Sequence, residues 1–74
     1  MEDLFWTILP VDGRQLEYHI IFENEEYCFV PKDSFRATYK FKREHDEWHA
    51  ADAASEAIKD EAVDALEKYL MRQH

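Results

Sequence analysis

Period-two alternation, broken by short turn signals, governs this chain to about residue 50 and then gives way once to a helical period. That single change limits the folds available. Strands in succession followed by one helix make an α+β domain. The expected architecture is an antiparallel meander of four strands, or five, at about residues 4–10, 14–22, 27–31 and 35–43. A C-terminal helix over about 52–72 is expected across one face of the sheet.

The turns set the expected registers. Leu4 to Pro10 is apolar and partly β-branched, and Val11-Asp12-Gly13 follows. Read as a three-residue hairpin loop, with Gly13 in the left-handed position, it pairs Pro10 with Arg14, Ile8 with Leu16, Trp6 with Tyr18 and Leu4 with Ile20. A two-residue Asp12-Gly13 loop would pair Leu9 with Leu16 and send Trp6 and Ile8 to the other face. The three-residue reading is preferred because it puts Trp6 and Ile8 with the other large apolar residues. Asn24-Glu25 is expected as a two-residue loop, pairing Phe22 with Tyr27 and Ile20 with Phe29.

Lys32-Asp33-Ser34 reads as a short polar loop, and Phe35, Ala37, Tyr39 and Phe41 then alternate with Arg36, Thr38, Lys40 and Lys42. His45-Asp46-Glu47 reads as a turn, and Trp48-His49-Ala50 as a short fifth strand or a lead-in to the helix. The expected core face carries Leu4, Trp6, Ile8, Leu16, Tyr18, Ile20, Phe22, Tyr27, Phe29, Phe35, Tyr39 and Phe41. In the last third, Ile58, Ala62, Ala65, Leu66, Tyr69 and Leu70 recur at helical spacings, with Asp52 or Ser55 placed to cap the N-terminus.

Composition excludes several classes. Seventy-four residues make one small domain, which buries only about 60–65% of its unfolded surface. Cys28 is the only cysteine, so a disulfide-stapled secreted miniprotein is excluded. The apolar runs are too short to span a membrane, and Met1-Glu2-Asp3 is acidic where a signal peptide needs positive charge. A cytoplasmic protein without a membrane role is expected. The net charge of -8 opposes nucleic acid, and no nucleic-acid partner is expected. Charge is uneven: Lys32, Arg36, Lys40, Lys42 and Arg43 make a basic middle, whereas Glu44 to Glu67 holds nine acidic residues and only Lys59 as a base.

No stretch carries a catalytic, phosphate-binding or cofactor-binding motif. His45-Asp46-Glu47-Trp48-His49 resembles a zinc-protease helix only superficially. Asp46 stands where that motif needs Glu, the segment reads as a turn, and a third ligand is missing. His19 and Cys28 fall diagonally across one strand pair, but no orienting third group accompanies them. A basic stripe of Arg36, Lys40, Lys42 and Arg43, with Phe5 and His19 to stack on bases, is outweighed by the net charge. Neither enzymatic activity nor a cofactor is expected.

The second face of the sheet is the unexpected feature. One helix covers one face, and the other should be polar. It is instead expected to carry Phe5, Leu9, Ile21, Cys28 and Val30, with His19, Arg36 and Lys40 around them. An apolar patch rimmed by charge is a partner surface. The expected function is a non-catalytic protein–protein interaction module, binding another protein or a second copy as a homodimer through the open sheet face. The alternative is an acidic inhibitor that mimics nucleic acid at a cationic enzyme site, using Asp46, Glu47, Asp52, Glu56, Asp60, Glu61, Asp64 and Glu67.

Overall fold

The computed structural model describes residues 2–33 and 35–72. Five antiparallel strands form one open sheet in the order β1-β2-β3-β4-β5, and a C-terminal helix packs on it. The strands are β1 (Glu2–Val11), β2 (Arg14–Glu23), β3 (Glu26–Pro31), β4 (Tyr39–Glu44) and β5 (Glu47–Ala50). The helical part is α1 (Ala53–Ala57) followed by α2 (Lys59–Arg72). Trp48-His49-Ala50 belongs to a fifth strand, so the meander has five members.

Three hairpins turn on two residues each, and both residues of every turn have positive φ: Asp12 52° and Gly13 75°, Asn24 53° and Glu25 63°, His45 51° and Asp46 66°. This conformation twists in the same sense as the strands it joins. The second hairpin has the expected register, with Phe22 opposite Tyr27 and Ile20 opposite Phe29. The first does not. Asp12-Gly13 alone forms the loop, Val11 pairs with Arg14, and Leu9 pairs with Leu16. The three-residue loop is therefore wrong by one residue, and β1 is turned over. Leu9 and Val11 are buried, at 3% and 8% exposure, while Trp6 and Ile8 are each 56% exposed. The physical reason is that β1 is apolar on both faces. Its pattern cannot choose a register, and the turn chooses instead. A bulge between Asp3 and Phe5 leaves Leu4 as the extra residue, and both Leu4 and Phe5 pack against the core.

The fourth strand also departs from expectation. It begins at Tyr39, not at residue 35, and Phe35 is 95% exposed instead of lying in the core. Asp33 causes this: its side chain accepts from the Phe35 N–H at 3.0 Å and its carbonyl from the Arg36 N–H at 3.1 Å. These bonds hold a turn where the alternation suggested an extended chain. Ser34, read as part of the polar loop, lies outside the described residues.

The core is aromatic at its centre. Tyr18, Ile20, Phe29, Phe41 and Leu66 are fully buried, with Trp48, Ile58 and Ala62 around them. Phe29 meets Phe41 edge-on at 5.6 Å, and Tyr27 meets Trp48 at 5.4 Å. Five strands at about 4.8 Å spacing are wider than one helix of ~10 Å diameter. One flank of α2 forms a groove with Trp48 and His49 of β5, and the other forms a groove with Thr7–Pro10 of β1. Both sheet edges thus approach the helix.

The expected single helix over 52–72 is interrupted at Ile58, whose backbone leaves helical geometry at φ -112° and ψ 14°. Asp52 caps α1 by accepting from the Ser55 N–H at 2.8 Å. Ser55 is not the cap. It is fully buried, and its hydroxyl accepts from the Lys40 N–H of β4 at 2.9 Å. The short α1 is thereby pinned to the sheet, and α2 follows the break with Ala62 and Leu66 buried in the core. Ser55→Ala leaves the Lys40 amide without that acceptor. It is expected to cost about 1–3 kcal/mol in urea denaturation, and an unchanged midpoint would show that the pin contributes nothing.

Tyr18 is the other polar group in the core. No described group hydrogen-bonds its buried hydroxyl. Burial, with the Tyr39 phenol nearby adding to it, pushes its pKa up to about 12. The sign follows from linkage: below pH 10 both folded and unfolded Tyr18 are neutral, and above it the unfolded chain ionises first. Stability is therefore lost as pH rises from about 10 to about 12. Tyr18→Phe is expected to reduce that loss in pH-dependent denaturation, with little or no cost at neutral pH.

Candidate interaction surface

The outer sheet face, away from α2, is a grid set by the registers. One row runs Asp3–Ile21–Cys28–Lys40 across β1 to β4. The next runs Trp6–His19–Val30, followed by Ile8 beside Glu17. At the other end, Glu23 pairs with Glu26, and Lys42 pairs with His49.

Within this grid the structure brings together His19, Ile21, Cys28, Val30 and Lys40 on one face, as the alternation placed them. It removes three of the expected residues. Leu9 is buried on the inner face. Phe5 is also on that side, stacked on Tyr69 of α2 with ring centroids 4.4 Å apart and planes 13° apart. The one-residue shift of the first hairpin moves both. Arg36 is not on a strand. It sits in the β3–β4 connection beside Pro31 and Leu16, and its charge acts on the inward-facing Tyr18 hydroxyl. The basic stripe is likewise divided. Lys40 and Lys42 face outward, whereas the Arg43 guanidinium lies 5.6 Å from the centroid of the inner-face Trp48 ring.

Trp6 and Ile8 take the places of Phe5 and Leu9. The register alternatives contained this outcome, and Asp12-Gly13 was its signal, because Asp-Gly is among the strongest two-residue hairpin sequences. Trp6 stacks on His19 with centroids 4.6 Å apart and planes 6° apart. His19 Nε2 also lies 3.3 Å from the Asp3 carboxylate. Glu17 holds Lys32 at 3.6 Å, and Lys42 reaches Glu44 at 4.0 Å. The centre of the face is closed over by its surroundings: Ile21 and Cys28 keep only 8% and 5% of their surface. The exposed apolar part is therefore a stripe along β1, Trp6–Ile8–Pro10, continued inward by His19 and the half-buried Val30.

The Cys28 thiol points at the Glu26 carbonyl, 3.9 Å away. Burial pushes its pKa up, with Glu26 and Glu23 adding to this and Lys40 opposing it. That keeps the thiol protonated, the opposite of what a nucleophile needs. His45 lies in the β4–β5 turn and His49 on β5, 3.9 Å from Glu47. Among the described residues no group of three or more His, Cys, Asp or Glu side chains converges as a metal site. No helix among them is long and apolar enough to cross a membrane.

No protein-family model matches this chain, and no curated protein or solved structure matches it. Cys28 is expected to react with a maleimide or disulfide reagent many-fold more slowly than a free thiol of ordinary pKa at pH 7.5, and to reach that rate only on denaturation. Fast labelling of the native protein would contradict its burial.

Proposed function

We propose that the protein is a non-catalytic protein–protein interaction module whose binding surface is the outer face along β1, β2 and β3. Trp6 and Ile8 are the apolar anchors, His19 and Val30 extend the patch, and Asp3, Glu17 and Lys40 form its charged rim. The observation that carries this reading is the pairing of two large apolar side chains, each 56% exposed, on one face of one strand. A domain this small has little apolar area to leave in water. Aromatic residues in a charged rim are the composition of interface centres. A cytoplasmic setting suits the lone reduced Cys28.

The acidic face of α2 supports a second reading, an inhibitor that occupies a cationic enzyme site. Glu47 of β5 joins Asp60, Asp64 and Glu67 along one groove. Lys59 interrupts that groove, and Lys68 neutralises Asp64 at 2.9 Å, so the field is less uniform than a run of phosphates.

Salt separates the two readings, because apolar contact persists at high ionic strength and charge mimicry does not. The test is hydroxyl-radical footprinting of the protein alone and bound to whatever it captures, itself included, at low and high salt. Protection of Trp6 and Ile8 that survives high salt, together with loss of capture by Trp6→Ser, is the expected result. Protection confined to α2 and lost with salt would replace the first reading by the second.

A further inference from the structure

We infer that the partner of this surface is a second copy of the chain, added edge to edge through β1 in a single register. The inference rests on the interaction-module reading and specifies its occupant.

Residues flanking a two-residue hairpin loop exchange both main-chain hydrogen bonds, and such pairs alternate along the ladder. Val11, Leu9 and Thr7, opposite Arg14, Leu16 and Tyr18, therefore direct their N–H and C=O groups toward β2. Trp6, Ile8 and Pro10 direct theirs away from it. β1 is a sheet edge, paired only with β2. Pro10 lies where its missing N–H removes no bond to β2. The open edge is bounded by that proline at one end and by the Leu4 bulge at the other. A bare, apolar edge of this length is a template for another strand.

A two-fold axis through Thr7, normal to the sheet, satisfies the edge with a second copy. Trp6 then exchanges both main-chain bonds with the partner's Ile8, and Ile8 with the partner's Trp6. The same register sets Pro10 against the partner's Leu4, so the residue that cannot donate meets the residue already out of the ladder. Pairing stops at both ends without an unmet donor. Because the axis is normal to the sheet, all four anchors stay on the outer face, where each Trp6 covers the partner's Ile8 as an aromatic–β-branched cross-strand pair.

The same axis sets unlike charges of the two helices toward each other, with Lys68 already 2.9 Å from Asp64 of its own helix. The groove between β1 and α2 sets Glu61, Asp64 and Lys68 beside Thr7–Pro10. An antiparallel second α2 brings the partner's Lys68 toward Glu61, and the reverse. A closed two-fold contact of this kind yields a dimer and leaves no β1 edge free for further growth.

The register is tested by cysteine trapping. Across a non-hydrogen-bonded antiparallel pair the Cα atoms are about 4.5 Å apart, within disulfide range. In a Cys28→Ala background, Thr7→Cys is expected to oxidise to a covalent dimer at least about tenfold faster than Val30→Cys, because the two thiols are held at high effective concentration. Ile8→Lys, at an exposed position, is expected to halve the light-scattering mass from twice 8.9 kDa without changing the circular dichroism spectrum. Faster trapping of Val30→Cys than of Thr7→Cys would overturn the edge in favour of face-to-face docking. A wild-type monomer at all concentrations would overturn the second copy as occupant. If that monomer still shows Trp6 protection against a captured protein, this proposal fails and the interaction-module reading stands.

Discussion

The structure depends first on a backbone constraint at one turn. Asp12 and Gly13, at φ 52° and 75°, close the first hairpin with two residues, and this decides which side of β1 meets the core. Everything on β1 follows from that parity. Leu9 and Val11 go under the helix, Trp6 and Ile8 go to the outside, and Pro10 falls where its missing N–H leaves the ladder intact. A strand apolar on both faces accepts either parity at similar cost in burial. A turn whose residues must take positive φ does not accept either loop length equally, and Asp-Gly suits the two-residue one. The same parity turns Phe5 inward, where it stacks on Tyr69, and the Leu4 bulge lets Leu4 pack against the core beside it.

The helical layer is set by polar anchoring as much as by apolar packing. Ser55 gives up the capping role its position suggests and accepts from the Lys40 amide instead, while Asp52 caps in its place. That bond fixes where α1 touches β4, and the helix is interrupted three residues later at Ile58. With the break, Ala62 and Leu66 reach the centre of the core, over rings from three strands.

These two features set which side chains the molecule exposes. The outer face is not a broad greasy plane, because Ile21 and Cys28 are covered by what surrounds them. Its apolar exposure is concentrated on the edge strand, in the same residues whose main-chain groups face outward. Exposed apolar side chains and unpaired main-chain groups therefore coincide on β1. Burial holds the Cys28 thiol protonated, and the His19 ring stacks on Trp6 with its Nε2 3.3 Å from the Asp3 carboxylate.

Much of this was legible in the residues alone. The alternation of Leu16 to Phe22, the Asn24-Glu25 turn and the helical spacing from Ile58 to Leu70 each admit one dominant interpretation, and the sheet, the helix and the outer placement of His19, Ile21, Cys28, Val30 and Lys40 follow from them. Local pattern misled where two periodicities or two hydrogen-bond partners were equally available. Phe35 continues an alternation that Asp33 breaks by capturing the Phe35 and Arg36 amides. Ser55 suits a cap and is taken by a strand distant in sequence. Trp6 and Ile8 look like core and are displaced by a parity set in the turn. The sequence by itself determined the elements, their order and the class of the fold, because hydrophobic periodicity and turn chemistry are local. Only the tertiary structure decided which apolar residues of β1 face water, because that choice depends on a loop length and on competition for buried space among residues far apart in the chain.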